Sequence, residues 1–270
     1  MSEIKTPKPF GHFHSISSVD GRFRGKTEHL SKYFSEFAMC KGRVFVEIEY
    51  LIAFLEQIGK KLDSKSISNL RSIASEFSNE DAQYIWNKDL EINHDTKAVE
   101  YFLIDKLEKF KLSHLKNYLH IGLTSTDIDN TGFALSLQQF FDEAYFPAMT
   151  ILLNELERLA LENKDIVMPG RSHGQIAVPT TAGKEIAYFH HRLNTQFKKL
   201  KEIKIGSKMT GAIGNHNALT FAYPEIDWIK FSQNFLNKLG LDAYTYTTQV
   251  EPYDHKVELI QAIKRINLVI

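Results

Sequence analysis

The chain has 270 residues, enough for one large domain or two smaller ones around a real core. Its 33 basic side chains match its 33 acidic ones, so nothing in the charge asks for a nucleic acid or an anionic membrane as partner. Cys40 is the only cysteine, which excludes an intrachain disulfide and a cysteine-held metal; with no signal-like start and no run of roughly 20 apolar residues, a cytoplasmic protein is expected.

Helical periodicity dominates the chain. Leu30, Phe34 and Phe37 recur at helical spacing, then Val44, Ile48, Leu51, Ile52 and Leu55, with Gly59 as the stop. Ile67, Leu70, Ile73, Ala74 and Phe77 predict a short amphipathic helix. Val99, Phe102, Leu103, Leu107 and Phe110 predict another, which begins just after His94-Asp95.

The longest pattern starts near Ser125 and runs through Phe133, Leu137, Phe140 and Phe141 to Leu152, Leu153, Leu156 and Ala160. Continuous to Glu162, such a helix is about 55–60 Å long, kinked at Pro147. Further helices carry Ile186 to Ile203 and Trp228 to Leu239, the latter ended by Gly240, and a last one starts near Pro252. Lys198, Lys199 and Lys201 read as a solvated face. The best strand candidate is short, Thr245 to Val250, and the Gly170–Gln175 stretch reads as a loop at a helix mouth capped by Thr181. Residues 1–120 and 121–270 form the expected domains. The chain stops within an apolar stripe, at Leu268, Val269 and Ile270, and its long helices need further partners; both point to a piece of something longer, expected to associate with copies of itself.

Five polar stretches sit beside these helices. In Gly170-Arg171-Ser172-His173-Gly174-Gln175, an imidazole among donors suits proton donation near neutral pH, or simply a hydrogen-bonded turn. Asn93-His94-Asp95 places a carboxylate beside an imidazole, an arrangement that favours the charged ring; a helix cap with an exposed His94 is equally open. Thr124 and Ser125 open the long helix, where hydroxyls and free N–H groups either bind an anion or form a routine cap. Arg22 follows a Val-Asp-Gly turn and is suited to clasp phosphate or carboxylate. Gln249 precedes the last helix. Gly211-Ala212-Ile213-Gly214-Asn215 is the fifth. His190-His191 point about 100° apart and make a poor metal pair, and His12 and His14 are ligand candidates only if ordered. No phosphate loop or dinucleotide fingerprint is present.

In this order the segments Ser-Val-Asp-Gly-Arg-Phe, Asn-His-Asp-Thr-Lys-Ala-Val-Glu, Gly-Leu-Thr-Ser-Thr-Asp, Gly-Arg-Ser-His-Gly-Gln, Gly-Ala-Ile-Gly-Asn and Thr-Thr-Gln-Val-Glu-Pro resemble the adenylosuccinate lyase family of the fumarase/aspartase superfamily. The resemblance runs from about Ser17 to the end. It implies an all-α chain: a small helical N-terminal domain, then the first long helices of a fumarase/aspartase-type bundle. It also implies a β-elimination that releases fumarate from a succinyl nucleotide in purine synthesis, with no cofactor and no metal, in a homotetramer. His173 matches the family's general acid. Thr124 and Ser125 match positions holding succinyl carboxylates. Arg22 and Phe23 match an Arg-Tyr pair on the nucleotide, with one hydroxyl lost. Asn93, His94 and Asp95 match the segment lining the nucleotide site, and Gln249 a substrate-binding glutamine. The family's general-base serine sits in a Met-Pro-x-Lys loop that these 270 residues lack, so this chain alone is expected to supply the acid and binding groups but not the base. The alternatives are a non-catalytic helical scaffold, or another fumarate-releasing lyase such as argininosuccinate lyase.

Overall fold

The computed structural model describes residues 15–270; His12 and His14 lie outside them. Two short turns of helix, α1 (Arg24–Thr27) and α2 (Ser31–Phe34), lead to α3 (Glu36–Gln57). The periodic run expected from Leu30 onward is thus broken. Ser35 is extended, with ψ 164°, and its hydroxyl accepts the Ala38 N–H, which makes it a helix cap and not a helix member. Gly59, with φ +78°, follows the end of α3 as expected.

Then come α4 (Ser64–Ser75), α5 (Asn79–Ile92) and α6 (Asp95–Lys109). Helix α5 is missing from the periodicity because only Ile85 on it is buried. Its sequence signal is the capping box instead: Ser78 and Asp81 satisfy each other's backbone N–H groups.

The long helix is real but composite. α7 (Ser125–Phe140) passes into a π-helical turn, Phe141–Tyr145, and on into α8 (Phe146–Glu162). Pro147 explains the turn. A proline ring crowds the carbonyl four residues back and donates nothing to it. The wider turn relieves this, with the Phe146 N–H reaching the Phe141 carbonyl.

Two corrections concern strands. The stretch read as a loop is an antiparallel hairpin, β1 (Val167–Ser172) with β2 (Gln175–Thr181). Thr245–Val250 forms no strand; a short parallel pairing joins β3 (Gly206–Ser207) to β4 (Asp242–Ala243) instead. The hairpin lacks a sequence signal because it is exposed on both faces, so no inside-outside alternation marks it. α9 (Ala182–Glu202) follows, and Thr181 caps it as expected by accepting the Lys184 N–H. α10 (Asn217–Ala222), α11 (Trp228–Lys238) and α12 (Asp254–Asn267) complete the described chain.

Three apolar clusters hold these elements, and α3 serves two of them. One stripe, with Val44, Ile48 and Leu51, packs on α4, α5 and α6. The opposite stripe, with Val46, Tyr50 and Phe54, packs on α7 and on Trp228, Phe231 and Phe235 of α11. The third cluster joins α8, α9 and α12 through Leu153, Phe197 and Ile266. α3 and α7 cross at Gly42 and Gly132, where a Cβ on Gly132 would stand 3.1 Å from the Gly42 carbonyl carbon. That approach fixes where the start of α7 sits. No helix among the described residues is long and apolar enough to cross a membrane.

Candidate active site

The α5–α6 junction supplies one wall. Asn93 ends α5 in the left-handed region, φ +54°, a conformation asparagine tolerates better than most residues. His94 then caps α6, its Nδ1 accepting the Lys97 N–H at 3.2 Å. Its ring stays 4.0 Å from the Asp95 carboxylate, beyond hydrogen-bond reach. The cap, one of two readings open in the sequence, is therefore the one His94 adopts. The charge partner of Asp95 is Arg43, whose Nη2 donates to Oδ2 at 2.6 Å.

The start of α7 supplies the other wall. The Thr124 N–H donates to Asp127 Oδ2 at 2.9 Å, closing the first turn. Ser125 joins Asn93, His94, Asp95 and Asp89 around an open cleft of about 490 Å³. The hydroxyl of the next residue, Thr126, donates to the Gln249 carbonyl, so the 247–250 segment lies against this helix start. The structure thus gathers Asn93, His94, Asp95 and Ser125 in one cleft, flanked by Thr124 and Gln249.

Arg22, Phe23 and His173 are not gathered there. The Arg22 guanidinium stands 5.7 Å from the Phe23 ring centre, and both side chains are exposed. His173 lies at the exposed tip of the β1–β2 hairpin. With φ +52° it pairs with Gly174, φ +77°, to make the two-residue turn that a twisted hairpin favours.

Several charged groups beside the cleft, Arg43, Glu47, His120, Asp129 and Lys208, lie outside the five polar stretches. Arg43 Nε also donates to Asp129 Oδ1 at 2.6 Å. Burial works against the Arg43 charge, but Asp129 and Asp95 outweigh it and raise its pKa. Burial pushes the Asp129 carboxyl up, and Arg43 opposes this. Glu47 Oε1 lies 2.5 Å from His120 Nδ1. Burial would lower the His120 pKa; the Glu47 hydrogen bond and charge override it, and the ring is held above its ordinary value. Asp127 accepts from Lys208 Nζ, from the Thr210 and Gly211 N–H groups and from Thr124. Arg43 and Glu47 had one available signal: they are charges beside the apolar residues Val44, Val46 and Ile48. Lys208 had none.

A larger groove of about 1140 Å³ runs between α3, α4 and α7. Arg71 there is already paired with Glu49 through two hydrogen bonds, and none of the candidate residues lines it. Chemistry therefore favours the smaller cleft.

The arrangement is that of a helical bundle with the cleft at the mouths of α6 and α7. Two solved structures share the fold: a fumarate lyase from Mesorhizobium sp. BNC1, with TM-score 0.72 and 19% identity over 91% of this chain and 54% of that one, and a 3-carboxy-cis,cis-muconate lactonizing enzyme from Pseudomonas putida, with TM-score 0.70 and 19% identity over 88% and 52%. The Lyase family model matches residues 2–270, and the chain belongs to that family. Among curated relatives it is 40% identical to the adenylosuccinate lyase of Vibrio cholerae over 262 residues, 38% to that of Escherichia coli K12 over 261, and 40% to that of Dictyostelium discoideum over 270. Each alignment covers 95% of this chain. The chain spans 57–58% of the length of these relatives.

Proposed function

We propose that the complete product of the gene encoding this chain is an adenylosuccinate lyase, which eliminates fumarate from adenylosuccinate to give AMP and from the succinylaminoimidazole-carboxamide ribotide, in the cytoplasm. The observation that carries this reading is the clustering of Asn93, His94, Asp95 and Ser125 around one cleft at the start of α7. A helix N-terminus with free N–H groups suits a carboxylate. Neighbouring amide, imidazole and carboxylate groups suit a nucleotide's donors and acceptors.

In the elimination, a base removes a proton beside a succinyl carboxylate. The resulting carbanion expels the nitrogen, and the nitrogen takes a proton. Thr124 and Ser125 hold the carboxylates; Asn93, His94, Asp95, Gln249, Arg22 and Phe23 bind the nucleotide; His173 donates the proton. The exposure of His173 on a hairpin that does not line the cleft fits an acid delivered to another copy's cleft. A homo-oligomer, a tetramer, follows from this reading. Exposed apolar side chains on α8, the hairpin, α9 and α12, among them Ile151, Val178, Tyr188 and Ile260, support association. The division into domains 1–120 and 121–270 is supported by the first apolar cluster, which ends at Leu119.

The test is an ultraviolet assay of the complete gene product with adenylosuccinate, argininosuccinate and malate offered separately. Adenylosuccinate alone should release fumarate. Turnover of argininosuccinate instead would assign a different lyase, and turnover of none would favour the scaffold reading.

A further inference from the structure

Helix α3 carries no motif, yet its polar side chains end on the segments that form the cleft. Arg43, Glu47 and Tyr50 are spaced four and three residues apart, which stacks them on one stripe. Arg43 reaches Asp95 on one wall and Asp129 on the other. Glu47 reaches His120, and the Tyr50 hydroxyl donates to the Ile121 carbonyl at 2.9 Å. His120 and Ile121 lead directly into Thr124 and Ser125. All three α3 side chains are buried; Arg43 is 6% exposed and Glu47 0%.

Burying two charged groups, Arg43 and Glu47, is costly, and well-packed apolar residues usually serve stability at least as well. Stability alone therefore does not account for the stripe. Its contacts do. Asp95 and Asp129 are carboxylates from two different helices, and one planar guanidinium holds both at 2.6 Å. A fork of fixed geometry sets a distance and an angle between its partners, as a lysine does not. His120 sits at φ +54°, a left-handed conformation costly for an imidazole residue, and Glu47 and Tyr50 hold that turn from beneath.

We propose that Arg43, Glu47 and Tyr50 form a positioning rail that sets the Asn93–Asp95 segment against the 120–125 segment, and so fixes the spacing of the cleft walls. None of the three needs to touch substrate. Their kinetic role rests on the lyase reading above, whereas the rail itself does not.

The test uses Arg43→Lys in the complete gene product, which keeps the charge and loses the fork. Val44→Ala, a buried neighbour on the α3 stripe that packs on α4, α5 and α6, is the control for ordinary loss of stability. Hydrogen exchange should accelerate in residues 93–97 and 120–126 of Arg43→Lys, by about tenfold or more, with the 44–55 core of α3 unchanged. In Val44→Ala the two segments should stay protected relative to the core. With adenylosuccinate, Arg43→Lys should raise KM by about tenfold or more while kcat falls less, because misplaced walls weaken binding first. Tyr50→Phe, which removes only the hydroxyl, should accelerate exchange at 120–126 and leave 93–97 as in wild type. Exchange unchanged in both segments of Arg43→Lys overturns the rail, as does Val44→Ala reproducing the same exchange pattern and KM. A wild type inactive on adenylosuccinate removes the lyase reading, and the exchange pattern then decides the rail by itself.

Discussion

The Lys208 ammonium lies 2.6 Å from the Asp127 carboxylate, and neither side chain reaches solvent. Asp127 stands in the first turn of α7, and Lys208 lies in the segment between α9 and α10, 81 residues away. The same carboxylate accepts the Thr210 and Gly211 N–H groups, so one buried anion ties the Gly211–Asn215 motif to the start of α7. The motif thus acts through its backbone. Gly211, at φ +82°, also leaves room for the Gly122 carbonyl, which would stand 2.8 Å from any Cβ there.

Removing one partner leaves the other charge buried and unpaired. Lys208→Met should cost about 3–5 kcal/mol in chemical denaturation. Lys208→Met combined with Asp127→Asn should cost clearly less than the sum of the two single changes, because the second change removes the orphaned charge. Strict additivity would mean that the pair is not coupled.

The crossing of α3 and α7 gives a second expectation. Gly132→Ala places a methyl against the Gly42 backbone, which cannot rotate away as a side chain would. We expect a loss of about 1–3 kcal/mol in a thermal or denaturant melt, from overpacking. A neutral result would show that the helices separate freely. Gly25→Ala, with nothing within 4 Å of its Cβ position, is the matched control and should be nearly silent.

Much of this frame is legible in the sequence, and the reason is physical. Val44, Ile48, Leu51 and Leu55 recur at helical spacing because one side of α3 faces a core. The signal fails where burial is sparse, as on α5, or absent, as on the hairpin around His173. A two-residue His-Gly turn is a weaker signature than Asn-Gly, though the backbone uses it in the same way. Within the candidate site, Asn93, His94, Asp95, Thr124 and Ser125 are legible because polar residues of these types mark helix starts, whether they cap or bind. Lys208 does not stand out: its partner lies 81 residues away, and only the folded chain brings them together. His120 is a similar case, since the charge that defines it, Glu47, comes from α3.

His120 yields a pH expectation with a defined sign. Its pKa is raised in the folded state, so the Glu47–His120 contact stabilises the protein fully below the ordinary histidine value of about 6.5. That contribution fades as pH rises through the raised folded value. The stability lost in His120→Gln should therefore be larger at about pH 5.5 than at about pH 8.5, measured as the difference in denaturation free energy from wild type. Taking the difference cancels the opposite effect of His216, whose pKa burial lowers. A loss equal at both pH values would show that the contact does not depend on the ring's charge.

Association is expected through the segment Ser125 to Glu162 and the surfaces beside it. Light scattering of the chain at micromolar concentration should give a mass above that of a 31.1 kDa monomer. Ile151→Asp, at a side chain 70% exposed on α8, should shift the distribution towards monomer. A well-folded monomer in the unmodified chain would count against the shared-site reading.

The most direct measurement concerns His173. In the complete gene product, His173→Gln keeps a similar size and hydrogen-bonding capacity but cannot act as an acid. Positioned acid catalysis is worth about 10²–10⁴ in rate, so kcat for adenylosuccinate should fall by at least about 10², with the fold intact and KM changed much less. His190→Gln, on the body of α9, should stay within a few-fold of wild type. Wild-type turnover in His173→Gln would contradict the assignment and leave the proton to come from His94 or from water.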